Sequence, residues 1–285
     1  MRLCYHANVF RAQENEAGRS AEFYQSGVEL IGLSSAGADA EVIALAIDSL
    51  NACEVPHFRL SVGHVGFVRA WMEERINNQQ TIAKLKGFLE QRNMVGYQQL
   101  IDGLSLSPSV KEELLAILQV HPDPFRYFYE RTQSEIVKES LDHLQEVWNY
   151  LKDWGFDSNI TFDPTLTGSI HYYTGTVFEG YAEASGFPLL SGGRYDQLLQ
   201  RFGRNLPATG FALKIDRLME VTQLKNYSAK IVHIYYPIEL RAEAFHQARQ
   251  LRQEGKTVIL HVAEDSTKNK GNIVLEEERN EWMKD

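Results

Sequence analysis

Cysteine is scarce in this chain. Cys4 and Cys53 are the two in 285 residues, too few for a disulfide framework and without metal-site spacing, so both are read as structural thiols in a reducing, cytoplasmic setting. Long apolar runs are missing: none approaches the roughly 18 residues that span a bilayer, and Met1 opens no basic segment followed by an apolar core and a cleavage site. No membrane partner is expected. Positive charge is in deficit, since 29 Lys and Arg against 38 Asp and Glu leave −9 with the nine His neutral. The averaged field repels phosphate backbones, which makes nucleic acid a disfavoured partner. Walker-type loops, dinucleotide fingerprints, nucleophile elbows, His-x-x-x-His and Cys-x-x-Cys are absent, so the common nucleotide, hydrolase and metal signatures do not apply. Asp157, His171, Glu179 and Glu183 supply titratable groups without metal-ligand spacing, and no metal or cofactor is expected. What remains is 44% hydrophobic and 24% charged, the balance of a globular chain with a real core.

The elements read as α+β. Leu3 to Phe10 and Glu22 to Ile31 carry strand residues around a polar stretch from Arg11 to Ser20, an antiparallel hairpin with a long loop. Met1 thus stands at the edge of a core strand, as in a chain that starts abruptly or in a fragment. Val42, Ile43, Ala46, Ile47 and Leu50 share one helical face. His57 to Val62 alternates as a strand, and Gly66 to Ile76 is helical. Residues 77–133 change character to Leu, Glu, Lys and Gln at helical spacing, broken at Pro108 and at Pro122 and Pro124, a helical insertion. Helix resumes from Ser134 to Trp154. Strand signals return at Ile160 to Asp163, His171 to Tyr181 and Phe187 to Ser191, with Gly192 and Gly193 as a tight turn entering a helix. Residues 1–76 and 134–224 then form one domain with a largely antiparallel sheet. Residues 225–285 read as a small βαβ piece with a charged tail that frays from Thr267.

Gln25 and Glu29, four apart on one strand, emerge on the same face. Glu29 stands between Val28 and Leu30, either as a paired structural charge or as the ligand of a cationic group, because burying it unpaired costs several kcal/mol, roughly. Arg11 and Arg19 in the hairpin loop either hold an anion or are solvated. Tyr172 and Tyr173, read as strand neighbours, cannot both face the core, and the outward ring either walls a ring-bearing ligand or packs across strands. Gly192 to Asp196 is either a ligand-closing turn or one whose Arg194 and Asp196 pair locally.

Five ordered segments carry a resemblance: Arg2 to Arg11, Glu22 to Glu29, Tyr172 to Glu179, Gly192 to Asp196 (Gly-Gly-Arg-Tyr-Asp) and Gly210 to Arg217. Together they resemble the catalytic domain of the histidyl-tRNA synthetase family, a class II aminoacyl-tRNA synthetase fold in which an antiparallel sheet flanked by helices cradles histidine and ATP. The resemblance covers residues 1 to 76 and 134 to 224, with the helical insertion where that family inserts. It implies that Gln25 and Glu29 hold histidine, with Tyr172 and Tyr173 walling the imidazole and Tyr195 closing the pocket. It places Arg11 in the same pocket and at the α-phosphate, Arg19 as a second phosphate contact, and Arg217 stacked on adenine.

Departures from the pattern decide the implied function. Where the family carries the arginine of histidine activation, this chain has Gly168, followed by Ser169 and His171. Removing a preorganised cation typically costs about 10²–10³ in rate. Lys214 stands where the family has a glycine beside the adenine. A synthetase fold that keeps the amino acid pocket and loses this arginine is similar to the regulatory subunits of ATP phosphoribosyltransferase. That resemblance implies a non-catalytic subunit, a homodimer within a hetero-oligomer, whose partner is the short catalytic subunit and whose ligand is histidine acting in feedback inhibition. The reduced C-terminal piece fits a loss of tRNA work. The open alternatives are a truncated or divergent histidyl-tRNA synthetase, for which Arg11, Arg19 and Arg217 would bind ATP, and a histidine-binding module with another partner. The family's first motif would precede Met1.

Overall fold

The hairpin expected at the start sets the frame of the main sheet. In a computed structural model, β1 (Arg2–Phe10) and β2 (Glu22–Ile31) pair antiparallel, with Tyr5 opposite Gly27 and Leu3 opposite Glu29. The structure describes residues 1–10, 22–168, 172–183, 185–222, 230–263 and 272–279. Five further strands complete the sheet: β3 (Phe58–His64), β4 (Ile160–Phe162), β5 (Thr176–Ala182), β6 (Leu190–Arg194) and β7 (Ala208–Lys214). Their order is β1-β2-β7-β6-β5-β3-β4, antiparallel throughout except for the parallel pair β3 and β4.

One face of this sheet is apolar because alternate positions carry Val28, Leu30, Leu60, Val62, Phe178, Leu190, Phe211 and Leu213. Two helices cover it. α1 (Ala36–Ala52) buries Val42, Ile43, Ala46, Ile47 and Leu50, the face that the sequence spacing marks out, and α7 (Glu135–Asp153) adds Leu144, Val147 and Leu151. Each fully buried aliphatic side chain of this kind contributes about 1.5–3 kcal/mol.

A second core lies among the helices. α2 (Val65–Arg75) and the first half of α7 pack with α3 (Gln79–Glu90), α4 (Met94–Gly103), α5 (Pro108–Leu115) and α6 (Pro124–Tyr129) around Trp71, Phe67, Phe128 and Tyr97. Asn78, Asn93, Ser107 and Asp123 cap four of these short helices through their side chains, and Pro108 and Pro124 sit in the first turn, where a missing N–H costs nothing.

Beyond α8 (Ile215–Val221) a separate unit spans residues 224–285. In it β8 (Lys230–Tyr236) pairs parallel with β9 (Thr257–Val262) across α9 (Arg241–Gln253), the expected βαβ. The charged tail departs from expectation. β10 (Val274–Arg279) forms a third strand antiparallel to β8, because its alternating register gives backbone partners that side-chain charge alone does not reveal.

Candidate functional site

The face of the main sheet opposite α1 and α7 carries small residues in register. Across one row stand Leu3, Glu29, Gly210, Gly193, Val177 and Gly63, and across the next Tyr5, Gly27, Ala212, Ser191, Glu179 and Ser61. Directly paired residues point to the same face. The glycines, alanine and serines therefore make a low floor between the taller side chains of β1 and β2 on one side and of β5 on the other. The close approach is real: a Cβ on Gly210 would run into the Glu29 carboxylate, and one on Gly193 would lie 2.9 Å from the Tyr173 ring. The functional side chains lie flat on this floor because these positions have none of their own.

Gln25 and Glu29 rise from the same face of β2, as their spacing requires. Gln25 is 7% exposed and donates its amide to the Tyr5 hydroxyl. Glu29 accepts a hydrogen bond from the Tyr195 hydroxyl. Burial lifts the Glu29 carboxyl above its ordinary range, and the Tyr195 bond opposes that only in part. Tyr195 is itself held protonated, first by burial and then by its bond to the carboxylate. The pair is a desolvated acceptor already holding a donor, a site suited to the N–H of a cationic or heteroaromatic group.

Two sequence expectations about this wall need correction. Tyr172 and Tyr173 do not lie on a strand, since β5 starts at Thr176; both precede it, half-buried, outside the core, their rings 5.2 Å apart. Tyr172 also packs edge-on against Tyr195 at 5.5 Å. Gly192 and Gly193 do not form a turn into a helix but run inside β6. A Cβ at Gly192 would meet the Phe178 ring at 2.5 Å, so close packing rather than turn geometry explains the glycine pair.

The segment carrying Tyr195 is anchored beneath the floor. Arg194, adjacent to Tyr195, sends Nη2 to Asp39 Oδ1 at 2.8 Å and Nε to Asp39 Oδ2 at 3.1 Å, and Nη1 reaches Asp196 at 3.1 Å. Arg194 and Asp196 do pair locally, as one of the two readings of this segment has it, and the adjacent Tyr195 turns its hydroxyl to Glu29. Asp39 comes from α1, and His143 of α7 donates to its Oδ2 at 2.8 Å. Burial alone would raise the Asp39 carboxyl, yet the His143 hydrogen bond and then the Arg194 ion pair hold it below the usual carboxylate range. Thr174 ties in the tyrosine segment, its N–H donating to the Arg194 carbonyl at 2.8 Å and its hydroxyl accepting from the Asp196 N–H at 3.0 Å.

Opposite Glu29, Arg92 of the insertion reaches the same face of the sheet. It donates to Asp163 at 3.2 Å and to Glu179 at 3.0 Å, and Tyr181 donates to Glu179 in turn. Burial and Glu179 push the Tyr181 hydroxyl up to about 12. Sequence reasoning missed this clamp, Tyr5 and the Asp39 anchor, which depend on tertiary placement; only Tyr5 left a signal, its alternation with Leu3 on β1.

The cations assigned to phosphate and adenine are placed unevenly. Arg11 and Arg19 lie outside the described residues, as does His171. Arg217, on α8, donates to the Pro188 carbonyl at 2.9 Å and lies over the Phe187 ring at 4.9 Å. Lys214 ends β7 opposite Gln25. Gly168 has φ +74°, and a Cβ there would lie 2.8 Å from the Tyr173 ring. Among the described residues no group of three or more His, Cys, Asp or Glu forms a metal site, and no helix is long and apolar enough to cross a membrane.

Comparison with known proteins matches residues 1–218 to the histidyl-tRNA synthetase family model. Over 262 residues the chain is 43% identical to the ATP phosphoribosyltransferase regulatory subunit of Geobacillus sp. (strain WCH70) and 40% identical to that of Bacillus subtilis (strain 168). Each alignment covers 91% of this chain and 67% of the relative, so the chain spans about two thirds of their length. Among solved structures, an ATP phosphoribosyltransferase regulatory subunit/histidyl-tRNA synthetase from Bacillus halodurans C superposes with TM-score 0.82 at 39% identity, covering 94% of this chain and 69% of that one. A histidyl-tRNA synthetase from Nostoc sp. PCC 7120, TM-score 0.76 at 20% identity over 93% of this chain and 66% of its own, shares the fold. The chain belongs to the family of ATP phosphoribosyltransferase regulatory subunits, built on the histidyl-tRNA synthetase-like class II fold.

Proposed function

We propose that this chain binds free histidine without activating it, and that in the full-length protein it serves a cytoplasmic regulatory subunit that switches on a short ATP phosphoribosyltransferase catalytic subunit and conveys feedback inhibition by histidine. The proposed assembly is a homodimer within a hetero-oligomer. Histidine presents an imidazole, an ammonium and a carboxylate. Glu29 and Gln25 supply buried acceptors, Tyr195 a hydroxyl, and Tyr172 and Tyr173 flat walls.

The observation that carries the non-catalytic half of the reading is Gly168. The resemblance puts the activating arginine at this position, yet φ is +74° and the Tyr173 ring occupies the path of a side chain. An arginine there would be strained twice, by its backbone and by the ring. The pocket keeps its recognition elements and has no room for the group that would offset charge on an adenylate.

The test is histidine-dependent exchange of pyrophosphate into ATP, run beside calorimetric titration of the full-length protein with histidine. Binding without exchange is expected, and Gly168→Arg should not restore exchange. Exchange at a rate typical of a synthetase would return the chain to the enzymes.

A further inference from the structure

The tyrosine pair borders a cavity of about 380 Å³, lined by Tyr172, Tyr173, Thr174, Gln197, Leu198, Gln200 and Arg201. It is polar and carries one cation. That cation differs from three arginines described above: Arg194 is consumed by Asp39 and Asp196, Arg92 by Asp163 and Glu179, and Arg217 by the Pro188 carbonyl and the Phe187 ring. Arg201 is exposed, and its guanidinium makes no hydrogen bond or ion pair with any described residue.

The cavity is built on a braced segment. Arg201 sits in a 3₁₀ turn, Leu199–Phe202, closed by Gly203 at φ 77°. The turn follows Asp196, whose N–H donates to Thr174 and whose carboxylate accepts from Ala208 at 3.0 Å. Gln200 spends its amide N–H on Asn205 at 2.8 Å. The guanidinium is thus carried on a turn fastened to the segment that holds the tyrosines, and the Tyr172 ring packs on Tyr195, whose hydroxyl donates to Glu29.

We infer that Arg201 is the recognition residue for the carboxylate of the amino acid bound at this site, an inference that rests on the histidine reading above. A zwitterion needs an acceptor for its N–H groups and a donor for its carboxylate. Glu29 supplies the first. A planar guanidinium with a carboxylate-matching fork and no acid paired with it among the described residues supplies the second. Tyr172 lines the cavity with Arg201 and packs on Tyr195, the donor to Glu29, so a ligand lying along Tyr172 would meet both groups. Gly168 has left the family's usual cation out of the pocket, and Arg201 provides one from a different segment.

Histidine and histidinol separate the two halves of the site, because histidinol keeps the imidazole and the amine and replaces the carboxylate with an alcohol. Calorimetry on the full-length protein should show histidine preferred about ten- to a hundredfold over histidinol, the worth of one charged hydrogen-bonded contact. In Arg201→Gln the preference should collapse towards unity through weaker histidine binding, with histidinol affinity unchanged; Arg201→Lys should restore part of it. The side chain is exposed and has no partner among the described residues, so both variants should fold, and an unshifted melting temperature checks this. If Arg201→Gln keeps the full preference, the carboxylate contact lies elsewhere and the inference is overturned while the histidine reading stands. If the unaltered protein binds neither ligand, the histidine reading falls and the inference falls with it.

Discussion

At the scale of single residues, Glu29, the proposed acceptor for histidine, is held at a cost to the fold. Its folded pKa lies above the unfolded value because burial disfavours the anion more than the Tyr195 hydrogen bond favours it. A raised carboxyl pKa means that the stability tied to this group is present below the unfolded pKa and lost as pH rises through the folded one, so at neutral pH the ionised group weakens the fold. Glu29→Gln removes the charge while keeping an acceptor for Tyr195. The variant should melt a few degrees higher than the parent at pH 7, since a unit of this size gains about 2–4 °C per kcal/mol. It should also bind histidine about ten- to a hundredfold more weakly. Thermal melts and titration of one preparation check both signs, and a variant with lower melting temperature and unchanged affinity would put Glu29 among the structural charges. The placement of this residue is legible in sequence, where Gln25 and Glu29 share a face at spacing four. Its donor is not, because Tyr195 lies 166 positions away.

Among elements, the hairpin and the two covering helices follow from periodicity, since period two on β2 and the recurrence of Val42, Ile43, Ala46, Ile47 and Leu50 each settle a buried face. The tyrosine segment and the glycine pair were misplaced because their conformations answer to packing, not to local pattern: Gly192 sits in a strand for want of space beside Phe178. The anchor joining α1, α7 and β6 has an acid-sensitive edge. His64 caps α2, its Nδ1 accepting from the Gly66 N–H at 3.1 Å, and its ring stands 6.1 Å from that of His143. Burial first, then the positive field of its neighbours, lowers the His64 pKa to about 4. A depressed histidine pKa contributes stability above the unfolded value of about 6.5 and loses it as pH falls towards 4. Asp39 is depressed too, but its window lies lower, below the ordinary carboxylate pKa. In the Glu29→Gln background, which removes the opposing carboxyl, urea midpoints should therefore fall between pH 7 and pH 5. In His64→Asn, which keeps a capping acceptor and does not titrate in this range, most of that fall should vanish. An equal fall in both proteins would assign the acid sensitivity to other groups.

For the molecule as a whole, the sequence signals that carry the fold are ordered segments set around an insertion, and the seven-stranded sheet gathers them onto one face. The opposite face is apolar and covered, so any ligand of this sheet must meet the floor of small residues. Regulation by such a ligand requires coupling: bound histidine inhibits a partner only if it favours a less active assembly, and the assembly then changes histidine affinity by the same factor, typically about 5- to 150-fold. The most direct measurement is phosphoribosyl transfer by the short catalytic subunit from the same organism, assayed alone, with the full-length protein, and with the full-length protein plus histidine. The account predicts little activity alone, full activity in the mixture, and inhibition by histidine that Glu29→Gln shifts to higher concentration. A catalytic subunit fully active by itself, with no co-elution and no response to histidine, would contradict it.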